Sequence, residues 1–360
     1  MALRPKNSWL VIGLASVLVI PLTAISLEIA KDDPSVSAAE ILPRAEKSLL
    51  LDMAKTDSGF LVVGERGHIL TSVDGKTWQQ MQVPTRSSLT TVSVQGSSIW
   101  AAGHDGVILY SADAGTTWER QRVSPWSKDS FEITNGSPVL DTYFIDEQTG
   151  YAVGAYSLLL KTSDAGKTWQ SLSISGQKQE TVDADLIADN SGTFSDSDLE
   201  IAAEDDPHLN AITRTESGVL LIMGERGAGF RSSDEGLSWQ KIALPYAGSM
   251  FGVLSLGGEH VMAYGLRGNV YESFDAGTSW SKINTGTDFS ILGGTVGPDG
   301  SVALVGGNGV LLTRQANGGA FTVQQVQMKT GQTPSLTSVM ATDSGFLMTS
   351  DLGSISYTVQ

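Results

Sequence analysis

Six times along the chain a short apolar run stops at a Gly-x-x-Gly turn, or its remnant, and a second apolar run follows. The copies are FLVVGERGHIL (60–70), IWAAGHDGVIL (99–109), YAVGAYSLLL (151–160), LLIMGERGAGF (220–230), VMAYGLRGNVY (261–271) and VALVGGNGVLL (302–312). A seventh, FLMTSDLGSISYT (346–358), ends the chain. Apolar runs this short, bounded by glycines, read as paired β-strands. Another strand precedes each pair, as in SLTTVSV (88–94) or LNAITR (209–214), and a fourth follows from a tryptophan, as in TWQQMQV (77–83). Four short strands per unit with almost no helical periodicity predict an all-β protein. Seven units over residues 48–360 give about 45 residues each, which predicts a seven-bladed β-propeller of four-stranded antiparallel blades.

A second phrase recurs between the third and fourth strands: SVDGKTW (72–78), SADAGTTW (111–118), TSDAGKTW (162–169), SSDEGLSW (232–239) and SFDAGTSW (273–280). A degenerate copy, RQANGGAF, ends at Phe321. The aspartates Asp74, Asp113, Asp164, Asp234 and Asp275 sit where a short carboxylate can accept backbone N–H bonds while the glycine takes a positive φ. Trp78, Trp118, Trp169, Trp239 and Trp280 are expected to bury their rings between neighbouring blades, each indole N–H finding an acceptor. The reading is one structural staple per blade, with no catalytic or metal-binding role.

Composition bears on compartment. Arg4 and Lys6 precede an uncharged, largely apolar stretch from Asn7 to Leu27, and acidic and basic residues resume at Glu28. Residues 1–27 therefore read as a signal peptide or an uncleaved anchor that places the rest outside the cytoplasm, at the periplasmic face of the inner membrane. Residues 28–47 read as a linker, in which Ala39 to Lys47 is expected to complete blade seven by pairing beside SISYTV (354–359). The net charge of −16 argues against a sequence-independent nucleic-acid binder. The chain has no cysteine, which excludes disulfides, thiolate metal sites and a lipid-modified N-terminal cysteine.

Together the S-x-D-x-G-x-[ST]-W and G-x-x-G-x-[IV] phrases, the export segment and the seven units resemble the photosystem II stability and assembly factor family of Asp-box propellers. The resemblance runs over nearly all of residues 48–360. It implies a non-enzymatic scaffold or assembly factor for a membrane-protein complex, with an arginine-bearing face that holds a membrane-protein partner. Arg66, Arg226 and Arg267 match the relevant phrase. The Asp-box is shared with sialidases, so a secreted glycoside hydrolase or a glycan-binding lectin is the alternative. The F/Y-R-I-P phrase of sialidases is absent, and no pair of carboxylates stands out from the 39 acidic residues as a glycosidase couple.

The Gly-x-x-Gly turns and the blade-to-blade connections should emerge on one face, opposite the Asp-boxes. That face receives Glu65 and Arg66, His104 and Asp105, Tyr156, Glu225 and Arg226, and Arg267 as candidate partner-binding residues. It also receives two long departures from the repeat. One is 124–138, carrying Trp126; the other is 175–208, with ten acidic residues against Lys178 alone. Arginines around a ring suit bidentate contacts with carboxylates, unless Glu65 and Glu225 neutralise their neighbours. The acidic insertion is open to three readings: a solvated loop, a docking segment or a calcium loop. DNSGTFSDSD (189–198) does not fit the spacing that wraps calcium. His68, His104, His208 and His260 lack metal-ligand spacing and read as surface residues. No metal or cofactor is expected.

Overall fold

The computed structural model describes residues 33–124, 136–174 and 206–358. The proposed export segment, Trp126 and nearly all of the acidic insertion lie outside them. The described residues form seven antiparallel sheets arranged as a seven-bladed propeller. Each blade is a meander. In blade one the strands are Leu50–Thr56, Gly59–Gly64, Ile69–Ser72 and Gln79–Gln80, in that spatial order.

The second strand of each blade explains the unbroken apolar runs. Gly150–Gly154, Leu220–Gly224, Val261–Gly265 and Val302–Gly306 are buried at every position, because each faces a neighbouring blade on both sides. The apolar clusters accordingly straddle blade boundaries. Leu61, Val63 and Ile69 of blade one meet Leu89, Ile99 and Leu109 of blade two, with Trp118 against them. Burying one such aliphatic side chain contributes about 1.5–3 kcal/mol, so the blades are held to each other chiefly by this packing.

Every blade's first strand carries a bulge near its start, as at Leu50/Asp52 and Leu336/Ser338. The bulge turns polar side chains toward the next blade. Thr90 Oγ1 donates to Val139 O at 2.6 Å, and Asn210 Nδ2 donates to Met250 O at 2.9 Å. Thr337 Oγ1 donates to Leu50 O at 2.7 Å and closes the ring.

Closure differs from expectation. Among the described residues blade seven has three strands, ending in Ile355–Thr358. Residues 39–47 do not pair beside it. They belong to a strap, residues 33–42 and onward, lying along the outer edge of blade one. Ala39 N donates to Val83 O at 2.9 Å, Arg86 N donates to Pro34 O at 2.7 Å, and Leu42 N donates to Gln80 Oε1 at 2.8 Å. Pro43 has no N–H to give a ladder, and Ala45–Lys47 form a 3-10 turn that meets blade seven through Ser354 N on Glu46 O and through Ala45 packing in one cluster with Leu347. Blades one and seven instead join by Thr337, by Ser356 Oγ on Gly75 O, and by Leu347 packing with Leu50, Val62 and Leu70.

Candidate functional site

The Gly-x-x-Gly turns owe both glycines to close approach. A Cβ on Gly64 would stand 2.2 Å from Leu49 O, and one on Gly67 would stand 2.2 Å from Thr85 O, where φ is also +71°. The first glycine admits the start of the inner strand, and the second admits the loop that leaves the blade. The turns and exit loops therefore share one face, as Gly227 N on Gly248 O and Ser124 N on Asp105 O also show.

In the turns of blades one to six a side chain is held in the left-handed region: Arg66 (φ 55°), Asp105 (56°), Tyr156 (54°), Arg226 (51°), Arg267 (56°) and Asn308 (56°), with Ser157 (56°) following Tyr156 where the second glycine is absent. Asn and Asp accept this conformation readily, whereas other side chains enter it at some cost. Arg66 and His104 are exposed, as is Tyr156 at 41%. Asp105 turns inward, accepting Ser87 Oγ at 2.6 Å. The glutamates are engaged elsewhere. Glu65 Oε1 accepts Leu49 N at 3.3 Å, and Glu225 Oε1 lies 3.5 Å from His208 Nδ1, whose ring meets Tyr156 edge-on. Among the described residues neither Arg66 nor Arg267 forms an ion pair.

The Asp-boxes lie on the opposite face with the turns between first and second strands, to which Ala114 N on Ser97 O and Ala276 N on Glu259 O tie them. In blade two, Asp113 Oδ1 accepts Thr117 N at 2.8 Å and Ser111 Oγ at 2.7 Å, while Oδ2 accepts Thr117 Oγ1 at 2.6 Å. These bonds stabilise the ionised form and hold Asp74, Asp113, Asp234 and Asp275 down to about 2, with Asp164 lowered likewise. Each box glycine has positive φ and touches the preceding blade, as Gly115 does Leu61. The tryptophans sit between blades, but only two indoles behave as expected. Trp118 and Trp280 Nε1 donate to Gly115 O and Gly277 O at 3.0 Å, whereas Trp78, Trp169 and Trp239 Nε1 are buried without an acceptor.

The profile of the "Photosynthesis system II assembly factor YCF48" family matches residues 36–126 and 120–194. The chain is similar to this family over that stretch, which is under half of its length. The photosystem II stability/assembly factor HCF136 of Oryza sativa subsp. japonica is 27% identical over 223 residues, covering 58% of this chain and 49% of that relative. The chain thus spans about half the length of the curated relatives it matches over such a stretch. A photosystem II assembly lipoprotein Ycf48 of Prochlorococcus marinus is 42% identical over 50 residues, 14% of each chain. The solved structure "YCF48 bound to D1 peptide" aligns with a TM-score of 0.60 at 17% identity, over 90% of this chain and 95% of that one. The WD40 propeller of Doa1 aligns with the same TM-score at 10% identity, covering 89% of this chain and 94% of that one. Structural likeness at these identities shows the propeller fold alone.

In this propeller three features were not legible in the sequence. Asp52 and Asp141 occupy matching places on the inner strands of blades one and three and reach to the next blade. Asp52 Oδ2 accepts Val92 N at 2.9 Å and Oδ1 accepts Ser338 Oγ at 3.1 Å. Asp141 Oδ2 accepts Ile212 N at 2.9 Å and Oδ1 accepts Thr91 Oγ1 at 3.1 Å. Burial raises both carboxyls, Asp141 to about 7 with help from the Asp52 charge, and together with them it pushes the Tyr264 phenol upward. The signal was the Asp shared by LLDMAKT and VLDTYF at one strand position.

The second feature replaces the missing sixth Asp-box. Arg314 stands where the box serine would be, pairs with Glu272 of blade five, and lies 5.2 Å from the Phe321 ring. Glu272 also meets His260 Nε2 at 3.0 Å. The third is His68, which is fully buried rather than at the surface. The turn places its side chain under the strap, a contact between residues far apart in sequence. Among the described residues no group of three His, Asp or Glu side chains could hold a metal, and no helix is long and apolar enough to cross a membrane.

Proposed function

We propose that this propeller works outside the cytoplasm as a non-catalytic assembly or stability factor, holding a membrane-protein client on the face that carries Arg66, Arg226 and Arg267. The observation that carries the reading is the left-handed backbone at all three arginines, on the face of the exit loops, with Glu65 and Glu225 turned to Leu49 and His208 instead. Asn308 shows a residue that suits this conformation without strain. Arginine there accepts a conformational cost in exchange for a guanidinium that can take carboxylates two bonds at a time.

The strap supports the same orientation. Pro34 O is bound by Arg86 N, so residue 33 leaves the propeller on the arginine face. Residues 28–32 can span no more than about 18 Å. An anchor retained at residues 7–27 would therefore hold this face against the membrane, where a membrane-protein client presents its exposed segments.

The test is crosslinking in intact cells, with identification of the membrane proteins captured by wild type and by an Arg66→Glu, Arg226→Glu, Arg267→Glu variant. Loss of one specific client is expected. Capture unaffected by the three changes would remove the arginine face from the mechanism.

A further inference from the structure

Blade one and the strap enclose a cavity of about 320 Å³ lined by Pro34, Glu40, Leu42, Arg66, His68 and Arg86. The strap is pinned at both sides of it, by Arg86 N on Pro34 O and by Gln80 and Gln82 amides on Glu40 O and Ala39 O. This wall is therefore part of the fold.

The polar groups in the cavity are short of acceptors. His68 is 0% exposed, and neither ring nitrogen has a hydrogen-bond partner. Its backbone is fixed by its N–H on Glu65 O and by Gly64 N on its carbonyl, and the ring meets a ligand by turning about its side-chain bonds with the turn kept. Burial lowers its pKa, leaving a neutral imidazole near pH 7 with one N–H to donate. Arg86 Nη1 lies 3.4 Å from Glu40 Oε1, while Arg86 Nε is buried without an acceptor. Arg66 brings a second guanidinium. Two cations face one carboxylate that is 70% exposed and held by a single long contact. Glu65 also acts on His68 from beside the cavity, but its carboxylate is engaged by Leu49 N, so both guanidiniums keep donors to spare. Pro34 and Leu42 add apolar wall.

We propose that this cavity is a carboxylate-binding site, in which Arg66 and Arg86 take the anionic oxygens, His68 supplies a neutral third donor, and Pro34 with Leu42 covers a short apolar stem. Its volume admits a small organic acid or one acidic or C-terminal residue of a polypeptide. The site goes beyond the client-holding face, since it requires neither Arg226 nor Arg267.

The test follows the His68 ring nitrogens by NMR in the full chain, labelled with ¹⁵N-histidine. Sodium succinate is one probe. The peptide acetyl-Ala-Ala-Leu-Ala, with a free carboxylate or as its amide, is the other. A saturable shift with at least one carboxylate probe, and none with the amide, is expected. Arg66→Gln, at an exposed position that leaves the fold intact, should weaken binding about tenfold or more, whereas Arg226→Glu with Arg267→Glu should leave it unchanged. A response to succinate assigns the site to a free acid, and a response to the peptide alone assigns it to a polypeptide. No saturable His68 shift with either probe, equal binding of acid and amide, or unchanged affinity in Arg66→Gln would overturn the site. Client capture repeated with Arg226→Glu and Arg267→Glu alone, Arg66 retained, reads the client-holding face without touching the cavity, so the two readings can fail separately.

Discussion

Asp113 on the Asp-box face and Asp141 on the inner strands are the same residue with nearly the same bonds. Asp113 accepts one backbone N–H and two hydroxyls; Asp141 accepts the N–H groups of Thr142 and Ile212 and the hydroxyl of Thr91. Yet Asp113 is held at about 2 and Asp141 is pushed to about 7. Hydrogen-bond number does not decide the direction. Asp113 sits in a water-exposed turn where the bonds act against little burial. Asp141 is walled by three blades, with the Asp52 carboxylate nearby, and loss of solvent outweighs its bonds. The rim aspartate staples one turn, while the inner one ties blade three to blade four.

Four outcomes would sharpen or break this contrast. The largest is the loss of the inter-blade acceptor. Asp141→Ala leaves Ile212 N–H unpaired between blades and should cost about 1–3 kcal/mol in denaturant unfolding, more than Asp113→Ala under the same conditions. Equal losses would erase the distinction between tying blades and stapling a turn. Next comes the neutral isostere. Asp141→Asn keeps an acceptor and removes a buried charge, so its unfolding midpoint at pH 8 should lie well above that of Asp141→Ala.

The third is pH dependence on the alkaline side. A carboxyl raised from 3.8 to about 7 binds its proton more tightly when folded, so stability falls as pH rises between those values and the full penalty is present above them. At 1.36 kcal/mol per unit the ceiling is roughly 4 kcal/mol, and water reaching the half-buried group reduces it. Melting temperature should decline from pH 5 to pH 8 in the wild type, with a flatter profile in Asp141→Asn. Parallel profiles would show that Asp141 stays ionised.

The smallest effect is on the acid side. The Asp-box carboxyls are lowered from 3.8 to about 2, so their contribution is complete above pH 4 and is lost as pH falls through 2. Asp113→Ala should remove part of that acid slope and leave the region above pH 5 unaltered. A changed slope between pH 5 and pH 8 would count against the assignment.

Much of the fold was legible because it is written in local repeats. The Asp-box confines its serine, aspartate and glycine to one turn, and Ser111, Asp113, Gly115 and Thr117 do bond one another within seven residues. The Gly-x-x-Gly phrase likewise reports a turn and names Arg66, Arg226 and Arg267 as one set. What stayed hidden joins distant parts of the chain. The strap chose the outer edge of blade one over blade seven, which no pattern in residues 39–47 announces. Asp141 acts on Ile212, and Arg314 acts on Glu272, from neighbouring blades.

By itself the sequence determined the repeating unit, the number of blades and which turn residues share a face, because strand periodicity and turn chemistry act over a few residues. Only the tertiary structure decided how the ring closes, which carboxylates lose their water, and that His68 and Arg86 line one cavity beneath the strap. Those outcomes depend on burial, and burial is set by what other blades and the strap bring to a residue.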